Sequence, residues 1–131
     1  MPLSWPALMT LLAVLWYEVT VWQVGRARAK YKVSAPATTG DPAFERAFRV
    51  QMNELEQLVA FLPAMWLFAW FGNPRFAAIA CGVFIVGRII YAIGYWADAR
   101  KRAVGYYIAM LAFLITWVAA LVSVVRWLGF A

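Results

Sequence analysis

Four apolar runs separated by short polar stretches make up most of this chain. Three of them contain at most one formal charge, and each is close to the ~20 residues with which an α-helix crosses the hydrocarbon core of a bilayer. These three runs cover residues 6–24, 76–96 and 104–125. The remaining run differs, because a polar stretch over residues 44–57 leads directly into the apolar segment 58–71. The pattern therefore predicts four helices, the second of which is polar in its first half and apolar in its second.

The second predicted helix is longer than a bilayer requires. Asp41 followed by Pro42 is typical of an N-cap and a first helical residue, and the turn Gly72-Asn73-Pro74 ends the helix near Phe71. A helix of this length extends for about 45 Å, which is ~15 Å more than the hydrocarbon core. Its first turns are therefore expected to project beyond the bilayer.

Composition assigns this pattern to a membrane. The chain has 131 residues, of which 66% are hydrophobic and 14% charged, and a soluble domain of this size cannot bury so much apolar surface. We predict an all-α integral membrane protein, a four-transmembrane-helix up-down bundle that forms a single domain over residues 1–131. The first apolar run is long and has no basic segment before it, so we interpret it as a retained transmembrane helix and not as a signal peptide.

The net charge of +6 follows the predicted topology. Most Lys and Arg residues lie around the first and third loops, near residues 26–32 and 98–102, whereas the second loop holds only Arg75. The positive-inside rule predicts that the basic loops face the cytoplasm and that both termini lie on the other side. Because topology accounts for the basic residues, no nucleic-acid partner is expected. The expected location is the inner membrane of a bacterium, with any site near these loops open to the cytoplasm.

Several kinds of chemistry are disfavoured by composition. The chain has no histidine, the commonest general base and metal ligand, and we expect no metal site. Its single cysteine, Cys81, lies in the middle of an apolar run and excludes an intrachain disulfide. We interpret Cys81 as an inert packing residue, because hydrocarbon surroundings keep a thiol protonated.

Polar side chains in the second helix share one face. At about 100° per residue, the positions of Arg46, Arg49, Asn53 and Glu56 fall within a narrow stripe. Ionisable groups inside a membrane usually face the interior of a bundle and mark a functional site. The alternative, strongest for Arg46, is a solvated turn whose arginines extend to lipid phosphates.

A second polar stripe runs along the third predicted helix. Arg88, Tyr91, Tyr95 and Arg102 share one face if the helix persists that far. Counted from the turn that the second and third helices share, Asn53 is at the depth of Tyr91, and the two stripes are expected to form two walls of one cleft. The tyrosines alternatively belong to an interfacial aromatic belt.

Arg88 needs a counter-charge inside the membrane. On the same count, Glu56 and Arg88 both lie roughly 20 Å from the outer end, and Glu18 reaches a similar depth. We predict a structural ion pair between Arg88 and Glu56 at the floor of the cleft, with Glu18 as the second candidate.

The predicted cleft suits a small polyanionic ligand. Arginine binds carboxylates through two hydrogen bonds, and an amide and phenol hydroxyls add neutral ones. The membrane side gives a lipophilic co-substrate direct access. This layout suits an enzyme that joins a water-soluble anion to a lipophilic molecule.

At these residues the sequence is similar to the MAPEG family, the membrane-associated proteins of eicosanoid and glutathione metabolism. One segment of the second helix resembles the family's signature for that helix: Phe44-Glu45-Arg46-x-x-Arg49-x-Gln51-x-Asn53-x-x-Glu56. The preceding loop, Val33-Ser34-x-Pro36-x-Thr38-Thr39-Gly40, resembles that of leukotriene-forming glutathione transferases. The third helix resembles the family's pattern in Arg88-x-x-Tyr91-x-x-x-Tyr95, followed by Arg102. Gln57 departs from the family, because leukotriene-forming members have a tyrosine there.

The resemblance implies a homotrimer that holds glutathione, its co-substrate, between adjacent subunits. Residues carried over as glutathione contacts are Arg28, Arg49, Gln51, Asn53, Glu56, Tyr91 and Tyr95. Arg102 is implied to be catalytic by stabilising the glutathione thiolate, although Arg100 and Lys101 compete for that role. The implied activity is that of a membrane-bound glutathione S-transferase acting on lipophilic electrophiles in detoxification, and peroxidase activity toward lipid hydroperoxides stays open.

Two other function classes also stay open. Small multidrug exporters have four short spans and a glutamate in the first helix, which Glu18 matches. The long basic loop and the extended polar second helix count against an exporter, which needs neither. A scaffold or assembly subunit predicts no chemistry in the cleft.

Overall fold

The computed structural model describes residues 2–129, and within this range the chain is almost entirely helical. Four long helices are joined by short connections, the last of which contains a 3₁₀ turn at Ala99–Arg102. The helices are α1 (Ser4–Tyr31), α2 (Pro42–Phe71), α3 (Pro74–Ala97) and α4 (Ala103–Trp127). The prediction of an all-α, four-helix bundle is confirmed.

The helix boundaries follow the capping residues in the sequence. The Asp41 side chain accepts a hydrogen bond from the backbone N–H of Ala43 at 2.8 Å, and Pro42 is the first residue of α2. Asn73 caps α3 in the same way. The first helix is longer than its apolar run, since it continues to Tyr31 and ends where Lys32 adopts a left-handed conformation with φ of 56°. The first basic cluster is therefore largely helical.

Among the described residues, three helical segments are long and apolar enough to cross a membrane, judged by length and composition. They are Ser4–Tyr31, Pro74–Ala97 and Ala99–Trp127. The fourth, α2, differs because its first half carries the polar stretch, as the hydrophobic pattern predicts. The protein is a membrane protein in which α2 brings polar groups into an apolar bundle.

The half of the bundle near the α2–α3 turn has an apolar core. Phe61 of α2 and Phe84 of α3 stack with ring centroids 4.0 Å apart, and both are fully buried. Met65 and Cys81 are also 0% exposed. The location of Cys81 fits the prediction that this residue serves in packing.

In the other half, α3 and α4 pack closely through two glycines. A Cβ atom on Gly87 would lie 2.7 Å from the backbone nitrogen of Ala109. A Cβ atom on Gly105 would collide with the backbone nitrogen of Tyr91. Backbone contact of this kind requires residues without side chains. The packing fixes the stretch of α3 that carries Tyr91 against α4.

Candidate active site

A polar cavity of about 250 Å³ lies where α2, α3, α4 and the 3₁₀ turn meet. Its lining residues are Arg49, Asn53, Gln57, Arg88, Tyr91, Tyr95, Arg102 and Tyr106. Arg49 and Asn53 of the predicted α2 stripe thus face Arg88, Tyr91 and Tyr95 of α3. The helix α3 ends at Ala97, so Arg102 reaches the cavity from the 3₁₀ turn, and α4 closes the cavity. Five of the residues assigned to glutathione binding and catalysis meet here: Arg49, Asn53, Tyr91, Tyr95 and Arg102.

The central contact joins the two predicted walls. Asn53 Nδ2 donates a hydrogen bond to the Tyr91 hydroxyl at 2.6 Å. The depth counting that pairs Asn53 with Tyr91 is therefore confirmed. Because the Tyr91 oxygen accepts this bond, its own O–H remains available to donate to a ligand. The Tyr95 ring lies 5.6 Å from that of Tyr91 and continues the same wall.

The predicted ion pair between Glu56 and Arg88 is wrong. Arg88 Nε instead donates to Glu54 Oε2 at 2.8 Å, and these side chains are 2% and 1% exposed. Glu56 is exposed, as is Glu18, the second candidate. Depth along a helix does not determine direction around it, and residues two apart point about 200° away from each other.

A signal for Glu54 was present in the sequence. The buried residues of α2 recur at helical spacing, and Glu54 lies within this series: Ala47, Val50, Glu54, Leu58, Phe61 and Met65. The apolar stripe therefore marks Glu54 as the inward carboxylate. Depth along the helix alone indicates Glu56, two residues away, as the partner of Arg88.

Arg102 and Arg100 have different surroundings. The Arg102 guanidinium lies over the Tyr95 ring, 5.6 Å from its centroid, and contributes to the cavity. Arg100 is paired with Asp98, its Nη2 lying 3.1 Å from Asp98 Oδ2. Hydrogen bonds from the Arg100 side chain and backbone hold the pKa of Asp98 below its usual value. Of the three candidates for the thiolate, Arg102 lines the cavity, whereas Arg100 and Lys101 do not.

Three residues assigned to glutathione do not line this cavity, namely Arg28, Gln51 and Glu56. Arg28 Nη1 donates to the carbonyl of Ala37 at 2.8 Å, and the guanidinium lies over the Phe44 ring. Within one chain Arg28 therefore holds the first loop against the start of α2. Arg46, also in the predicted stripe, donates through Nε to the carbonyl of Trp96 at 3.1 Å and ties α2 to the end of α3.

Tyr106 belongs to the cavity but was missed in the sequence. It lies four residues after Arg102. A helix that continues through this region places both residues on one face, and this spacing was the available signal.

Residues 6–122 match the sequence profile of the MAPEG family, which covers most of the chain. The chain belongs to the MAPEG family. The uncharacterized protein sll1147 of Synechocystis is 54% identical over 122 residues, which are 93% of this chain and 89% of that protein. Human microsomal glutathione S-transferase 2 is 44% identical over 67% of this chain, and the match spans 60% of the human protein. Guinea-pig (Cavia porcellus) leukotriene C4 synthase is 38% identical over 77% of this chain and 67% of its own length.

Proposed function

We propose that this MAPEG protein is a membrane-bound glutathione S-transferase. The observation that carries the proposal is the cavity in which Arg49, Arg102, Asn53 and three tyrosines converge. Neither Arg49 nor Arg102 forms an ion pair within residues 2–129. Two arginines without protein counter-charges favour a ligand of net negative charge. Glutathione has a net negative charge, and its thiolate form is more negative than its thiol form.

The proposed chemistry begins with loss of the thiol proton to water. A cysteine thiol ionises with a pKa of about 8.5, and a nearby guanidinium in a poorly hydrated cavity lowers this value by favouring the thiolate. We assign this role to Arg102. The thiolate sulfur then attacks an electrophilic carbon, a carbon–sulfur bond forms, and the displaced group leaves with the electron pair of its former bond. Glutathione itself is held by Arg49, Asn53, Tyr91 and Tyr95.

A second cavity supports a lipophilic co-substrate. It has a volume of about 610 Å³ and shares Arg102 and Tyr106 with the first, while the exposed ring of Tyr107 extends it along α4. Arg102 therefore contributes to two adjoining spaces. We propose that the thiolate occupies one and that the electrophile approaches through the other from the membrane. A lipid hydroperoxide in the same place makes peroxidase chemistry accessible to this site.

The relatives favour this chemistry over the alternatives. Two of them are named for glutathione transfer and for leukotriene C4 synthesis. An exporter built around Glu18 lacks support, since Glu18 is exposed on α1 and does not line the cavity. General conjugation of electrophiles, in detoxification, is the activity that we assign.

A homotrimer accounts for the residues outside the cavity. Arg28, Gln51 and Glu56 lie away from the cavity of their own chain. We propose that they contact glutathione bound by an adjacent subunit. Following the positive-inside rule, we place the site at the cytoplasmic side of a bacterial inner membrane.

The test uses purified protein in detergent or lipid nanodiscs. Equilibrium dialysis measures glutathione binding, and ultraviolet absorbance of the thiolate is followed while the pH is varied. We expect saturable binding and a thiol pKa shifted below its free value. Identical thiolate titrations with and without protein would contradict the transferase proposal.

A further inference from the structure

Arg88 uses only part of its guanidinium within the chain. Its Nε donates to Glu54, and its Nη2 is buried with no acceptor within residues 2–129. The side chain is 2% exposed and still contributes to the lining of the site cavity. A buried donor without an acceptor carries a desolvation penalty that no bond offsets. This corner of the cavity therefore suits an acceptor that the chain does not supply.

The remaining guanidinium nitrogens are held in a fixed orientation. Glu54 binds one edge at 2.8 Å, and the Tyr91 ring covers one face with its centroid 4.1 Å from Arg88 Cζ. The Tyr91 hydroxyl is in turn held by Asn53. An arginine oriented in this way is prepared to bind a planar carboxylate through parallel hydrogen bonds.

The depth of Arg88 fits one end of a tripeptide. Arg88 precedes Tyr95 by seven residues on α3, a rise of about 10 Å, and Arg102 lies over the Tyr95 ring at the mouth. Three extended residues span about 10 Å. A peptide with a terminal carboxylate at Arg88 thus reaches the level of Arg102 with its other end, and its central cysteine lies between the two arginines.

We propose that Arg88, in addition to its structural ion pair with Glu54, binds a terminal carboxylate of the peptide substrate. The proposal rests on the proposed function, since it takes glutathione as the ligand. It assigns a binding role to the most deeply buried arginine of the cavity and orients the peptide with its thiol toward the mouth.

The first test compares two variants that break the same pair. Arg88→Gln removes the cationic fork, whereas Glu54→Gln retains it. Isothermal titration calorimetry with glutathione is carried out below the unfolding transition of each variant. We expect the dissociation constant to rise about tenfold or more for Arg88→Gln and less than about threefold for Glu54→Gln. Equal losses in the two variants overturn the proposal, because a purely structural pair predicts them.

The second test removes one ligand group at a time. The analogues are the glycyl ethyl ester of glutathione, 4-aminobutyryl-cysteinylglycine, which lacks the other terminal carboxylate, and γ-glutamyl-2-aminobutyryl-glycine, which lacks the thiol. We expect wild-type protein to prefer glutathione over both carboxylate analogues, and Arg88→Gln to lose its preference over one of them. If both preferences survive, or if the preference over the analogue without a thiol is lost instead, the carboxylate assignment is wrong.

Folding does not limit these tests. If a single variant fails to fold, the double variant Glu54→Gln/Arg88→Gln, whose two amides can hydrogen-bond, is taken through the same ligand series. Loss of one carboxylate preference supports the proposal, and retention of both overturns it. Failure of wild-type protein to bind glutathione overturns the proposed function itself, whereas normal wild-type binding with equal losses in the variants overturns only the role of Arg88.

Discussion

The floor and the mouth of the cavity each hold an arginine, and the two lie in opposite environments. Arg88 at the floor is 2% exposed, paired with Glu54 and covered by the Tyr91 ring. Arg102 at the mouth is exposed, lies in no ion pair of the described chain, and has the Tyr95 ring as its aromatic neighbour. A buried charge contributes to the fold only while its partner is present, whereas an exposed one changes little in the fold when it is removed. The floor should therefore govern stability and binding, and the mouth should govern rate.

The largest expected effect comes from breaking the pair at the floor. Arg88→Met leaves Glu54 buried without a counter-charge, and we expect a loss of about 3–5 kcal/mol in the free energy of unfolding. Thermal unfolding in one detergent, followed by circular dichroism, measures this loss. Arg88→Met/Glu54→Leu should recover most of it, because an apolar pair of similar volume replaces an ion pair at little cost. The matched control is Glu56→Gln, which changes an exposed carboxylate and should unfold like wild type. If Arg88→Met is as stable as wild type, the proposed difference between floor and mouth is wrong.

The next largest expected effect is on the rate of glutathione conjugation, in variants of Arg102 at the mouth. Arg102→Ala should lower the rate of glutathione conjugation by about 10²-fold, or ~2.7 kcal/mol, by removing an electrostatic stabiliser of the thiolate. Its unfolding should be close to that of wild type. Arg102→Lys should be intermediate, since it keeps the charge but loses the planar fork. Stopped-flow measurement of conjugation, with thiolate absorbance across pH, separates loss of the thiolate from loss of binding.

Arg100→Ala is the control for that prediction. Arg100 has the same charge two residues away but is paired with Asp98. Arg100 lines the second cavity but not the first, so we expect the thiolate titration of Arg100→Ala to match that of wild type and any change to fall on KM for the electrophile. Loss of turnover in Arg100→Ala with normal turnover in Arg102→Ala would reverse the assignment of the activating residue.

A smaller effect is expected where α4 supports the floor. Gly105→Ala introduces a Cβ atom against the backbone of Tyr91, and overpacking of this kind costs about 1–3 kcal/mol. Displacement of Tyr91 should also weaken glutathione binding. Gly25→Ala is the matched control, because a Cβ atom there has no neighbour within 4 Å and a helical alanine is favoured over glycine. Equal stabilities of the two variants would contradict close packing of α3 on α4.

The smallest expected effect sharpens the boundary between floor and mouth. Tyr91→Phe removes the acceptor of the Asn53 bond and the hydroxyl that faces the ligand, and we expect glutathione affinity to fall by about 1 kcal/mol. Tyr95→Phe, one turn nearer the mouth, should change affinity less because the Tyr95 hydroxyl forms no hydrogen bond within residues 2–129. Calorimetric titration of both variants ranks the two layers, and a larger loss for Tyr95→Phe would reverse the ranking.

The helical bundle and much of the cavity follow from the linear pattern of residues. Long apolar runs demand helices in a bilayer, and the Asp41-Pro42 cap determines where α2 begins. The spacing of polar residues along α2 and α3 places Asn53 and Tyr91 at one depth, because rise per residue is constant along a helix. The equal depth of Asn53 and Tyr91 is therefore a property of residue spacing.

Which groups touch across helices depends on the three-dimensional packing. Glu54 and Glu56 differ by about 3 Å in depth, and the rotation of α2 against α3 selects between them. The same holds for Tyr106, which reaches the cavity because Gly105 lets α4 approach the backbone of Tyr91. Periodicity specifies positions within one helix, whereas contacts between helices depend on packing distance and rotation, which several helices set together.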